Sequence, residues 1–483
     1  MNTLLAPQAR QLLSEVLDFS RKKNLKVYIV GGYLRDLVLK RIKANPDIDF
    51  CLKKNSINFA RTLAKKIKAG FVVLDKEHGA CRLVKKIKDK TYTLDFTDFR
   101  APTLEADLLH RDFTINTLAL GLEEALKAKG CDAFIDLYSA GKDLKSKVIR
   151  VINKQAFDED PLRILRAFSF SAILGFKIEK GTLRLAKFKR HKLSAVSTER
   201  VRDELFKIFD TDKSFEYLTM MDRYKVLKVI IPEIELMRGV AQGPYHHLDV
   251  LKHSFETLRQ LENFFREIRF NKGIKDYLDE VMSSVRKRRA LIKLGAFLHD
   301  IGKPQAKRRR EGKIMFHGHE RVGTAIATDI SRRFKLSNNE IDALRKMVFW
   351  HLRPGYLADN EELTARAIFR YLRDTSAEAL SVLLISLADQ RATKGRLTSL
   401  ESRLNHERVV TRLLKEYFKK SKEKKLIRIL TGNDLMKKFK LQPSPLIGGI
   451  LSHLEELQAI GRIKTKVQAL KAATVFLKKK GHL

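Results

Sequence analysis

Asp47-Ile48-Asp49 sets two carboxylates two residues apart, and on an extended strand positions i and i+2 project from one face. Acids brought that close repel unless a cation lies between them, and oxygen donors suit a hard ion such as Mg²⁺. Alone the pattern is weak, because Asp is common in loops. Gly31-Gly32 ends the apolar run 26–30 (KVYIV) and precedes a helical pattern over 33–40, where backbone N–H groups could approach a triphosphate. Arg35, one turn into that helix, could reach the same phosphates; a tight turn with a surface arginine is the competing reading. Asp95 stands within TYTLDFTDF, where a strand disfavours Asp, so it either faces water at an edge or adds a third acid. In His110-Arg111-Asp112, before FTINTLAL, Asp112 is placed to cap a helix. Asp160-Pro161 suits a helix start, and Arg163 and Arg166 continue one face from Asp160. A fixed Asp160–Arg163 pair would present acceptors and donors in one plane, as reading a base edge requires.

A second constellation lies downstream. His299-Asp300 ends the apolar stretch LIKLGAFL, where imidazole and carboxylate can share a metal from one turn. A lone His-Asp dipeptide means little. His253 in LKHSFETL and Asp389 in ISLADQRAT strengthen it, the latter because a lone buried Asp is costly. His317, His319 and His351 add second-metal or phosphate ligands, although any one histidine is more often a satisfied core or surface residue.

The elements that must carry these residues divide the chain. Runs 26–30, 48–52 and 91–96 read as strands among helices, whereas beyond residue 141 strand signals fade and helical periodicity dominates. The fold class expected is therefore α+β: an α/β head followed by a long helical body. With 483 residues, the chain is long enough for several domains. Its 97 Lys+Arg against 57 Asp+Glu give +40, which points to a polyanion, nucleic acid before an anionic membrane. Basic runs stand at 286–289, 308–310, 419–425 and 478–480. Cys51, Cys81 and Cys131 are scattered, which argues against a disulfide scaffold or a cysteine zinc site. No apolar run approaches the ~20 residues of a membrane span. The amino terminus reads as an amphipathic helix without a basic leader, so a cytoplasmic protein is expected.

Together, GGYLRD, DID, LHRDFTINTLAL, EDPLRILRAF and TERVRDEL resemble the class II tRNA nucleotidyltransferases. That family includes CCA-adding enzymes and bacterial poly(A) polymerases and has a DNA polymerase beta-like head. The resemblance implies a catalytic Mg²⁺ on Asp47 and Asp49, with Asp95 the third acid. It implies a triphosphate held by Gly31, Gly32 and Arg35, and contacts to sugar and phosphates from Arg111, Asp112 and Asn116. Asp160 and Arg163 would template the base of CTP or ATP with Arg166 in support, and TERVRDEL would stiffen the helices behind them. Two positions depart from the family: His110 stands where Arg is usual, and Ser169 where Arg is frequent. The implied organisation is a nucleotidyltransferase domain over 1–139, a base-recognition neck over 140–225, an HD domain over 226–400 and a helical RNA-binding region over 401–483.

His253, His299-Asp300 and Asp389 resemble the HD phosphohydrolases, known within some bacterial members of that family, in which a divalent metal of unspecified identity activates water against a phosphate ester. A 2′,3′-cyclic phosphate or damaged RNA end is the substrate class suggested. The carboxyl-terminal stretch also resembles the family's tail, where Lys437, Lys438, Lys440, Arg462, Lys464 and Lys466 would meet phosphates or simply be solvated. The expected reaction is addition of CMP and AMP to the tRNA 3′ end. Poly(A) synthesis, or addition of CC or A alone, is the alternative within the family. Residues 71–86 (FVVLDKEHGACRLVKK) lack a Gly-Arg-Arg-Phe stretch, which favours tRNA, and 75–82 would be the flexible loop linked to switching from C to A. A phosphohydrolase with a silent RNA-binding head is the reading from another class; intact Asp47, Asp49, Asp160 and Arg163 argue against it.

Overall fold

The computed structural model describes residues 7–41, 45–127, 133–268, 271–422 and 427–482; Cys131 and residues 423–425 of one basic run lie outside them. The chain forms two compact units, residues 1–211 with 216–230, and residues 212–215 with 231–483.

In the first unit, β1 (Val27–Val30), β2 (Asp47–Leu52), β3 (Gly70–Asp75), β4 (Ala80–Ile87), β5 (Lys90–Asp98) and β6 (Ala119–Gly121) make one sheet in the order β3-β4-β5-β2-β1-β6. β2 and β5 run parallel at its centre, and the other pairs are antiparallel. The alternation of β2 explains the layering. Ile48 and Phe50 are fully buried, as are Leu94 and Phe96 opposite them on β5, and the rings of Phe50 and Phe96 stack at 4.7 Å. The helices Pro7–Lys22 and Ser56–Ile67 bury Leu12, Leu13, Val16, Phe59 and Leu63, and Phe59 packs on Phe96. That leaves the odd-numbered face of β2 to the acids.

Two expectations need correction here. FTINTLAL is not a helix: residues Thr114–Asn116 make one 3₁₀ turn and Ala119–Gly121 pair with β1. Its β-branched Thr114, Ile115 and Thr117 suit a buried strand end, and an unbroken apolar run cannot separate strand from helix. Residues 75–82 are not an open loop either: they close the hairpin of β3 and β4, with only 76–79 outside the strands.

The rest of the described chain is helical apart from three two-stranded pairs, such as Val148–Ile149 with Lys177–Ile178. In the second unit part of the excess charge is internal. Arg286 donates twice to buried Glu340, at 2.7 and 2.8 Å, and buried Arg288 pairs with Glu280 and Glu378. Arg308–Arg310, by contrast, is exposed. Near the carboxyl terminus the helices Gly432–Phe439, Pro445–Ala459 and Lys466–Lys479 enclose their own core of Leu435, Ile450, Leu454, Ala473 and Leu477. Lys437, Lys438, Lys440, Arg462, Lys464 and Lys466 are exposed around it, with Lys466 paired to Asp434 at 3.0 Å. Among the described residues no helix is long and apolar enough to cross a membrane.

Candidate active site and a buried histidine–aspartate cluster

In the first unit Asp47, Asp49 and Asp95 line a cleft of about 1420 Å³ together with Gly31, Gly32, Arg35, Arg111, Asp112, Asn116, Asp160, Arg163 and Arg166. All twelve head residues singled out from the sequence therefore meet in one place. Parallel register puts Asp95 directly beside Asp49, and Asp47 shares their face. The donor set is all carboxylate oxygen, which fits a hard divalent cation. Asp95 already carries a cation, because Arg82 on β4 donates Nε and Nη2 to its two oxygens at 2.8 and 2.7 Å.

Gly31 is needed for two reasons. Its φ of +78° disfavours a side chain, and a Cβ there would lie 2.8 Å from Arg111 Nη1 and 3.2 Å from Asp49 Oδ2. At Gly32 a Cβ would meet only ordinary contacts with Arg35.

A buried polar chain stands behind the cleft. Arg35 Nη1 donates to Asn116 Oδ1 at 2.8 Å, and Asn116 Nδ2 donates to Asp112 Oδ1 at 2.9 Å. Asp112 Oδ2 accepts from Arg166 Nε and Nη2 at 2.9 and 2.7 Å, and its Oδ1 also accepts from the Phe113 N–H. Burial works to raise the Asp112 carboxyl, but Arg166 beside it prevails and holds it below the ordinary range. Phe170 lies under both cations, its centroid 5.2 Å from Arg35 and 4.8 Å from Arg166.

The expected Asp160–Arg163 side-chain pair is not formed. Arg163 is buried, donating to the carbonyls of His110, Arg111 and Ala156 and to Glu159. Asp160 instead accepts from Arg200 Nη2 at 2.7 Å and from the Leu162 N–H at 3.2 Å. TERVRDEL thus supplies a direct partner to the acid rather than only stiffening behind it. The two departures have local explanations: His110 pairs with Glu159 at 3.2 Å, and the Ser169 hydroxyl donates to buried Glu204. Arg82, Arg200 and Phe170 were missed as individuals; Arg82 had entered only as the end of the segment 75–82 and Arg200 only within TERVRDEL.

In the second unit three helices bring His253, His299-Asp300 and Asp389 together. His253 Nε2 lies 2.8 Å from Asp389 Oδ1, and His299 Nε2 lies 3.2 Å from Asp300 Oδ2 and 3.7 Å from Asp389 Oδ1. His319 and His351 join at 3.3 and 3.8 Å from Asp300 Oδ1, whereas His317 is exposed. The orientation is informative. Nδ1 of His299, His319 and His351 each faces the carbonyl three residues back, at 2.8, 2.8 and 2.6 Å, which leaves Nε2 as the lone-pair nitrogen. His299 Nε2 and Asp300 Oδ1 are buried without a hydrogen bond, while Asp300 Oδ2 is ion-paired with Lys303 Nζ at 2.7 Å. Unsatisfied imidazole nitrogen and carboxylate oxygen converging in a buried place fit a transition-metal ion. Burial disfavours the His299 cation, but Asp300 and Asp389 overcome it and raise it to about 10, so an ion taking Nε2 must displace a proton there, while burial lowers His351 to about 3.

Three family models match the chain. Residues 27–150 match the family described as the Poly A polymerase head domain, 175–237 the probable RNA and SrmB-binding site of polymerase A, and 250–394 the HD domain. An A-adding tRNA nucleotidyltransferase of Deinococcus radiodurans is 28% identical over 91% of this chain and 93% of its own. A CC-adding tRNA nucleotidyltransferase of Geobacter sulfurreducens is 28% identical over 96% and 95%. Among solved structures, a CCA-adding enzyme in its apo form I aligns with a TM-score of 0.67 at 23% identity, over 99% of this chain and 97% of that one. A Thermotoga maritima CCA-adding enzyme complexed with tRNA aligns with a TM-score of 0.62 at 23% identity, over 98% and 96%. The chain belongs to the class II tRNA nucleotidyltransferase and poly(A) polymerase family and carries an HD domain.

Proposed function

We propose that the chain adds CMP and AMP from CTP and ATP to the 3′ end of tRNA, releasing pyrophosphate. The carrying observation is the single face on which Asp47, Asp49 and Asp95 meet, in a cleft that also holds Arg35, Arg111 and Asp160. Asp47 and Asp49 would hold Mg²⁺, whose chemistry is to polarise the RNA 3′-hydroxyl and neutralise charge on the phosphates. The hydroxyl attacks the α-phosphate in line and pyrophosphate leaves, so the protein's task is orientation and charge complementarity. The Gly31 turn lets backbone approach the phosphates, and Arg111 above it supplies a counter-charge. Asp160 is an acceptor, which suits the exocyclic amino groups of C and A and opposes the carbonyls that U and G present there.

The division of labour follows the four segments: chemistry in 1–139, base recognition in 140–225, the HD site in 226–400 and tRNA contacts in 401–483. The cytoplasm is the compartment we assign. At the HD site His253, His299, Asp300 and Asp389, with His319 and His351, would hold one or more divalent ions, whose chemistry is to activate water against a phosphate ester. Release of phosphate from RNA bearing a 2′,3′-cyclic phosphate, with Ni²⁺, Co²⁺, Mn²⁺ or Mg²⁺ supplied, tests that assignment; no release with any of them refutes it.

A narrower reading, addition of CC or A alone, is favoured by one observation: the two full-length relatives above are named for those partial activities. Incubation with tRNA lacking CCA, tRNA ending in CC, and oligo(A), each with one labelled nucleotide triphosphate, separates the readings. Three residues added to the first tRNA supports CCA addition. Two additions, one addition to the second tRNA only, or a ladder on oligo(A) each replace it with the corresponding activity.

A further inference from the structure

Arg82 is assigned no role by the sequence motifs or by the relatives' names. Antiparallel pairing of β4 with β5 puts it directly opposite Asp95, and parallel pairing of β2 with β5 puts Asp49 at Asp95's other side. Directly paired residues share a face, so this guanidinium stands on the side of the sheet that carries all three acids. Its two donors take both Asp95 oxygens, at 2.8 and 2.7 Å, in the planar fork that arginine forms with a carboxylate. Both side chains keep solvent access, Arg82 being 44% and Asp95 21% exposed, so the pair can open without unpacking the core.

A divalent ion shared by the three acids needs at least one Asp95 oxygen, and the Arg82 fork occupies both. We infer that Arg82 is a resident counter-cation of the metal site: it holds Asp95 in place while no ion is bound and competes with the ion for that carboxylate. Arg82 is thus a positioning residue that sets how much divalent ion the head requires. The inference rests on the proposal that Asp47 and Asp49 hold a metal. It makes a prediction that a merely structural arginine does not. Deleting a strut leaves metal affinity unchanged or weakens it; deleting a competitor tightens it.

The test uses the full-length protein without nucleotide and Mn²⁺ as the probe, with free Mn²⁺ followed by electron paramagnetic resonance. An Asp47→Ala/Asp49→Ala variant identifies which bound Mn²⁺ belongs to the head, so that ions on the HD cluster are subtracted. Arg82→Met, which keeps the aliphatic stem and drops the charge, is expected to bind the head's Mn²⁺ about two- to fivefold more tightly, the scale of a partly exposed ion pair. Arg82→Lys, charged but without the fork, is expected between wild type and Met, and it decides the matter if Met disturbs the fold seen by circular dichroism. Equal or weaker Mn²⁺ binding in a folded Arg82 variant overturns the counter-cation role. Wild-type Mn²⁺ binding that does not depend on Asp47 and Asp49 overturns instead the metal site itself.

Discussion

Asp112 separates a scaffold from a substrate contact. The family resemblance puts it against sugar and phosphate, yet its oxygens are already occupied by the Phe113 N–H, Asn116 and two donors of Arg166. Asp112→Ala removes these acceptors and leaves a guanidinium only 31% exposed without its main partner. Hydrogen bonds to charged groups contribute about 1.5–3 kcal/mol, and breaking a fully buried pair costs about 3–5. Because Arg166 keeps some solvent and a second carboxylate, Glu204, 3.7 Å away, about 2–4 kcal/mol is expected. For a unit of this size that lowers the melting temperature by about 5–15 °C. Calorimetry of Asp112→Ala, Arg166→Ala and the double variant measures it, and the double variant should lose far less than the sum. The acid limb carries the same sign. A carboxyl depressed on folding contributes stability above its unfolded value near ~3.9 and loses it as pH falls through the folded one. Asp112→Ala should therefore narrow its stability gap from wild type in strong acid. Wild-type melting, with only nucleotide affinity reduced, would refute the scaffold and restore the contact.

Three further outcomes follow from the same geometry. Gly31→Ala puts a side chain at a φ of +78° and against Arg111, so it should destabilise by about 1–3 kcal/mol and raise the KM for nucleotide; unchanged melting and KM would contradict that. Arg200→Ala frees one Asp160 oxygen, and competition assays with all four nucleotides should show discrimination against UTP and GTP weakened by about two- to fivefold, with Arg200→Lys intermediate; undiminished discrimination would dismiss the pair. His299→Ala/Asp300→Ala should abolish metal retained by the second unit, read by elemental analysis after dialysis, while tRNA extension persists; retained metal would place the site elsewhere.

What the sequence made legible is what local spacing encodes. The two-residue period of Asp47-Ile48-Asp49 against buried Ile48 and Phe50 already assigned the acids to one face, and strands 26–30, 48–52 and 91–96 fall within one or two residues of β1, β2 and the middle of β5. The His-Asp turn at the end of an apolar helix likewise found its partners. What stayed hidden depends on register and distance. Arg82 meets Asp95 across a hairpin thirteen residues on, a pairing set by the tight turn at 88–89 between β4 and β5. Arg200 meets Asp160 from forty residues away, where helical periodicity carries no information. Arg163 turned inward because backbone carbonyls of His110 and Arg111 needed donors, a demand no motif displays.

Single-turnover extension of tRNA lacking its terminal CCA, with labelled CTP and then ATP, by wild type and Asp49→Asn tests the central claim most directly. Asp49→Asn keeps the side chain's shape and removes its charge, so folding should survive. The account predicts addition of cytidylate and adenylate by wild type, and a fall of at least about a hundredfold in the variant. Extension by Asp49→Asn at the wild-type rate would contradict it.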